Sequence, residues 1–148
     1  MRVFILEDSN SRIVLFREIF ADLSIDLTIC DDTVTAATKF VGDYNLILLD
    51  HDLEHHHQEN LEAAVGKKNT GSEFVDYLVM AAHPKQGPVV IHSYNPYSAE
   101  YMRSTLEKYD WSVYKQPFGL TLLEKLQEFV TKELAIERNS LDNSPKQA

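Results

Sequence analysis

LILLDHDL, residues Leu46 to Leu53, decides how this chain is read. Four apolar residues with no polar break suit a strand buried on both faces, the habit of parallel sheets. Asp50-His51-Asp52 follows at once. Ionisable groups placed directly after a buried strand stand where open α/β sheets carry their chemistry, beyond the carboxyl ends of the strands.

Upstream, Val3 to Leu6 is a second uninterrupted apolar run, ended by Glu7-Asp8. Ser9 to Ser11 offer helix N-caps, and Ile13, Phe16, Phe20 and Leu23 recur along one helical face. Ile25 to Cys30 alternates apolar with polar, as a strand nearer a sheet edge would. Asp31-Asp32-Thr33 caps a second helix expected to reach about Val41, with Gly42 and Asp43 as its stop.

Downstream of Asp50 lies a polar stretch of twenty residues, His51 to Thr70. Loops that long are uncommon in compact domains and are often functional. Asn60 to Val65 reads as a helical turn within it. Thr70-Gly71-Ser72 opens a third helix carrying Phe74, Val75, Leu78 and Val79. Val89 to Ile91 is a fourth strand, followed by His92-Ser93-Tyr94-Asn95. A fourth helix is expected from about Ser98 to Lys108, and a fifth strand from Trp111 to Tyr114. Leu122, Leu126, Phe129, Val130 and Leu134 mark a last amphipathic helix. The expected domain is residues 1–137, with 138–148 as a polar, frayed tail. Strand and helix alternate five times, which means a parallel sheet with right-handed crossovers and helices on both faces.

The bulk numbers bound the function. At 148 residues, with 44% hydrophobic and 25% charged, the chain suits one globular domain. Fourteen basic against 23 acidic residues give a net charge of −9, which disfavours nucleic acid and anionic membranes. Val3 to Leu6 is too short for a signal-peptide core or a membrane span. The single cysteine, Cys30, excludes an intramolecular disulfide, reads as a buried apolar residue, and suits a reducing, cytoplasmic setting.

The residues after each strand are Glu7 and Asp8, then Asp31 and Asp32 at the edge, Asp50 to Asp52, His92 to Asn95, and Lys115-Gln116. Glu7, Asp8 and Asp50 brought together would repel one another. A hard divalent cation relieves that repulsion and also offsets charge on a phosphoryl group.

With these residues in view, the chain resembles the receiver domains of response regulators. VFILEDSNSRI resembles the first-strand acidic pair, and YNLILLDHDL the strand ending in the phosphoaccepting aspartate, here Asp50. TGSEFVDYL, PVVIHS (with Ser93) and YKQPF resemble the third helix, the fourth strand and the fifth-strand Lys-Pro-Phe, whose proline usually follows a cis bond. The resemblance implies a flavodoxin-like (βα)5 sheet of order 2-1-3-4-5. It also implies Mg2+ (or Mn2+) held by Glu7, Asp8, Asp50 and the carbonyl of Asp52. Two departures stand out. Gln116 occupies the place of the family's lysine, so Lys115 could be delivered only by a bulge. The aromatic switch position falls on Val113 or Ser112. Asp-His-Asp after strand three and His-Ser-x-Asn after strand four resemble a divergent subgroup, the cyclic-phosphate-processing receiver-like domains.

His51 and His92 follow adjacent central strands, and imidazoles beside a metal-phosphate site can do acid-base work or ligate Mn2+, Fe2+ or Zn2+. His92 and Ser93 point to opposite faces unless the strand has already ended. His55-His56-His57 cannot share one face and are expected in a solvated loop, with metal or substrate contact as the other reading. Three functions follow. The first is a stand-alone signalling receiver with phosphoryl acceptance at Asp50. The second is a metal-dependent cyclic-phosphate phosphoesterase using His51 and His92. The third is a non-catalytic interaction module. Asp50, His51, His92 and Ser93 are the expected catalytic residues; Asn95, Lys115 and Gln116 are the expected substrate contacts. The expected partner is a protein or a small phosphate ligand. A homodimer through helix four, strand five and helix five is one arrangement open to the chain.

Overall fold

The computed structural model describes residues 1–21, 23–53, 69–81, 83 and 87–145. Five strands and five helices alternate: β1 (Arg2–Leu6), α1 (Asn10–Phe20), β2 (Asp26–Cys30), α2 (Thr33–Lys39), β3 (Leu46–Leu49), α3 (Gly71–Met80), β4 (Val89–Ile91), α4 (Pro96–Glu107), β5 (Val113–Lys115) and α5 (Leu120–Asp142). All strand pairs are parallel and the order is β2-β1-β3-β4-β5. This is the parallel sheet with helices on both faces that the strand-helix alternation predicts, in the flavodoxin-like 2-1-3-4-5 order that the resemblance implies.

The uninterrupted apolar runs are central strands because both of their faces are covered. Phe4, Leu6, Ile47, Leu49, Val89 and Ile91 face one core with Phe74, Val75, Leu78, Met102 and Leu106 from α3 and α4. Val3, Ile5, Leu46 and Leu48 face the other, with Phe16 and Phe20 of α1 and Leu122, Leu126 and Val130 of α5. Each residue of β3 is at most 1% exposed. Full burial of such side chains contributes about 1.5–3 kcal/mol apiece.

Element ends follow local chemistry. Asp32, Thr70 and Asn95 cap α2, α3 and α4 by accepting from the amides of Thr35, Glu73 and Ser98. α4 begins two residues earlier than the sequence suggests, because Pro96 fits the first helical turn, where its missing N–H costs nothing. α2 stops at Lys39, before a turn in which Gly42 (φ 91°) and Asp43 (φ 61°) are left-handed. β5 starts two residues later than expected. Trp111 is instead drawn into the α4 core, its amide donating to the Leu106 carbonyl at 3.2 Å. α5 continues through Arg138 to Asp142 where a frayed tail was expected. Glu137 on it is 3.4 Å from the N-terminal amine of Met1. All peptide bonds among the described residues are trans, including Gln116–Pro117, where the resemblance implied cis. The expected turn at Asn60–Val65 and the triplet His55–His57 lie outside the described residues.

Candidate functional site

Strand register builds the site. Leu6 of β1 pairs with Leu49 of β3, and Leu49 with Ile91 of β4. The next residues along the chain are Glu7, Asp50 and His92. The ladder runs one step into them: Asp50 N donates to the Leu6 carbonyl at 3.0 Å and His92 N to the Leu49 carbonyl at 2.9 Å. Three adjacent strands thus deliver three ionisable side chains in a row. The preceding residues, Leu6, Leu49 and Ile91, face the α3/α4 core. Alternation therefore turns Glu7, Asp50 and His92 towards α1.

Their contacts agree. His92 Nε2 lies 2.8 Å from Glu7 Oε2, and neither side chain is exposed. The imidazole packs edge-on to Phe16 of α1, centroids 5.4 Å apart. Glu7 Oε1 accepts from the amides of Asp8 and Ser9 at 3.1 and 3.0 Å, at the entrance to α1. Asp50 is 4% exposed and accepts from the His51 amide at 2.9 Å. Burial pushes the Glu7 carboxyl up, but the hydrogen bond and charge of His92, the Ser9 amide and Arg12 outweigh it and hold Glu7 below the usual range. Asp50 ends above its usual range. Burial dominates there, and the neighbouring Glu7 adds to it against the opposing pull of His92, the His51 amide and Arg12.

A cleft of about 270 Å3 opens over Glu7 and Asp50, lined with them by Asp8, Ser9, Arg12, Asp52 and Tyr94; His92 lies buried behind the two carboxylates, and neither it nor His51 lines the cleft. Among the described residues, Glu7, Asp50 and His92 offer ligand atoms within 4.8 Å of one another. Two carboxylates and an imidazole are a donor set for a divalent cation, and the nitrogen suits Mn2+, Fe2+ or Zn2+ better than Mg2+. Asp8 and Asp52, the other expected ligands, line the same cleft. His51 Nδ1 sits 2.7 Å from Asp52 Oδ1, so the Asp-His-Asp sequence contains its own oriented imidazole.

The remaining expected site residues do other work. β4 has ended before Ser93, whose Oγ accepts from the Asn95 amide at 3.1 Å. Asn95 caps α4. Lys115 Nζ lies 2.7 Å from Glu100 of α4, and Gln116 accepts from Lys125 of α5 at 3.0 Å. None of these four lines the acidic cleft.

Sequence reasoning missed Arg12 and Tyr94. Arg12 Nη1 lies 3.5 Å from Glu7 Oε2 and 3.7 Å from Asp50 Oδ2. Its guanidinium carbon sits 4.9 Å from the Tyr94 ring centroid and 4.8 Å from that of Phe118. The signal was available: in a β-α unit the first turn of the helix stands beside the strand end that precedes it.

Residues 15–108 match the family model described as the cyclic-phosphate processing Receiver domain. The chain belongs to that family. No curated protein sequence matches it. Among solved structures, this receiver domain is similar to the Francisella response regulator 1452 receiver domain, at 18% identity and a TM-score of 0.58 over 90% of this chain and 98% of that one. It is also similar to a CheY-like response regulator receiver domain protein from Methanospirillum hungatei JF-1 (15%, TM-score 0.55, 90% and 96%). The signal receiver domain of a Luxo repressor protein from Vibrio parahaemolyticus is a third (18%, TM-score 0.56, 97% of each chain). At these identities the likeness shows the receiver fold. No helix among the described residues of this receiver domain is long and apolar enough to cross a membrane.

Proposed function

We propose that this receiver domain is a divalent-metal-dependent site that opens a cyclic phosphate ester. The observation that carries the reading is the Glu7–Asp50–His92 row, two carboxylates and an imidazole whose ligand atoms lie within 4.8 Å of one another under an open cleft. The family's description names cyclic-phosphate processing. A metal held there supplies charge compensation at the phosphate oxygens and a more acidic water.

The chain's own residues divide the remaining work. Glu7, Asp50 and His92 hold the cation, and the full burial of His92 suits holding rather than proton exchange with solvent. Asp52 fixes His51 through Nδ1, which leaves Nε2 to exchange the proton. Ring opening adds water across one P–O bond. His51 Nε2 takes a proton from the water as the water oxygen bonds to phosphorus, and the same nitrogen returns that proton to the ester oxygen as its P–O bond breaks; the second ester stays intact.

The test is turnover of nucleoside 2′,3′-cyclic and 3′,5′-cyclic phosphates with Mn2+ and with Mg2+. The reading expects a metal-dependent monoester product that is lost in Asp50→Asn and strongly reduced in His51→Ala. Absence of product with every metal and substrate overturns it.

A second reading, phosphoryl acceptance on Asp50 with signalling to a protein partner, is favoured by Asp50 lining the cleft at the tip of β3. It predicts a phosphate adduct with acetyl phosphate and Mg2+ that Asp50→Asn abolishes. The pairing of Lys115 with Glu100 weighs against it, because the family's lysine would have to face the phosphoryl group.

A further inference from the structure

We infer that Arg12 is the group that grips the phosphate in this site, the task the receiver pattern would give to Lys115. The inference rests on the phosphate-handling reading above and adds the residue that recognises the anion.

Lys115 is turned away by strand parity. It shares a face of β5 with Val113, which packs on the α4 core, and its ammonium is bound to Glu100. Lys115 and Arg103 both hold the Glu100 carboxyl, and together they keep it down at about 2, Arg103 contributing most. Arg12 is the single cation among the described residues lining the acidic cleft.

Arg12 is also preorganised. Tyr94 and Phe118 each place a ring within 5 Å of its guanidinium carbon, at 4.9 and 4.8 Å. The Tyr94 hydroxyl donates to the Phe118 carbonyl, which ties the two arms together. The Phe118 amide in turn donates to the His92 carbonyl at 3.0 Å, anchoring the clamp to the row of ligating residues. A planar guanidinium stacks between rings and still presents its edge donors; an ammonium does neither as well.

Its present contacts leave room for an incoming anion. The distances to Glu7 and Asp50, 3.5 and 3.7 Å, are long against the roughly 2.7–2.9 Å of a strong charge-assisted bond. A guanidinium held at the mouth of the cleft, with loose protein partners, matches a phosphate's paired oxygens.

The full chain tests this by calorimetry in two separate titrations, Mn2+ alone and then inorganic phosphate onto the Mn2+-loaded protein. Arg12→Ala is expected to weaken phosphate at least tenfold while Mn2+ binds as well as before or better. Arg12→Lys keeps the charge and is expected to fall between the two. Tyr94→Leu should weaken phosphate several-fold through loss of the clamp, with Mn2+ unchanged. Lys115→Ala should match wild type.

Phosphate affinity in Arg12→Ala equal to wild type overturns the inference, as does an equal loss in Lys115→Ala. If Arg12→Ala does not fold, wild-type affinity in Arg12→Lys together with Tyr94→Leu overturns it. If wild type binds Mn2+ but neither inorganic phosphate nor a cyclic phosphate, the phosphate-handling reading fails first and this inference with it.

Discussion

The imidazole of His92 and the carboxylate of Glu7 meet at 2.8 Å with neither side chain reaching solvent. Glu7 is held below the usual carboxylate range, so at neutral pH its buried carboxyl is ionised. Removing His92 leaves that charge with the amides of Asp8 and Ser9 on Oε1 and only the long contact to Arg12 on Oε2. His92→Ala is expected to cost about 3–5 kcal/mol, the range for breaking a buried pair from one side. Glu7→Gln with His92→Ala should cost less than the sum of the two, which a double-mutant cycle by urea unfolding reads directly. A depressed carboxylate pKa stabilises the fold above the unfolded value and loses that contribution as pH falls through the folded one. The Glu7→Gln deficit should therefore shrink in acid.

Asp50 has the opposite sign. Its folded pKa is raised, chiefly by burial, so its ionised form is the disfavoured one. The associated stability is fully present below the unfolded pKa and is lost as pH rises through the folded value. In chelator, Asp50→Asn should be more stable than wild type at neutral pH. The advantage should disappear on acidification below about pH 4. Equal unfolding midpoints at neutral pH would contradict this.

Gly71 opens α3 against the site. A Cβ at this position would lie 2.0 Å from the Asp50 carbonyl oxygen and 2.9 Å from His51 Cα, both backbone atoms that cannot swing aside. Gly71→Ala should destabilise the fold by about 1–3 kcal/mol, as overpacking does. Because the clash is with Asp50 itself, Mn2+ affinity should fall as well. Gly119, whose Cβ would meet nothing within 4 Å, is the control.

Cys30 ends β2 at 2% exposure, and burial, with Asp32 and Asp31 adding to it against Lys39, raises its thiol to about 11. At about pH 9 the native thiolate fraction should lie about fiftyfold below that of the unfolded chain. Alkylation by iodoacetamide should be slow in native protein and fast in urea. Comparable rates would show that β2 opens readily.

The fold was legible because its central strands are written without polar interruption: Val3 to Leu6 and Leu46 to Leu49 admit burial on both faces and little else. Glu7 and Asp50 followed from strand ends alone. His92 as their partner needed register, which aligns Leu6, Leu49 and Ile91 and so aligns what comes after each. Lys115 misled because its position in the sequence is one residue from the expected lysine, and one residue along a strand reverses the face. Val113, an apolar residue two places earlier, carried the parity that sends Lys115 towards Glu100. Arg12 and Tyr94 were missed for another reason: each lies outside the strands, on a helix turn and a loop, and only packing shows that they meet.

Asp52 and Thr70 pair as an isolated antiparallel bridge, and the Gly71 amide donates to the His51 carbonyl at 2.9 Å. The chain is therefore stitched shut on either side of residues 54–68, directly beside the cleft. Past such a stitch, each doubling of the enclosed length costs only about 0.6 kcal/mol of closure entropy. The bridge braces the backbone of Asp50 to Asp52 from the α3 side, so the chain that carries Asp50 is held in place by a second tie besides its ladder to Leu6.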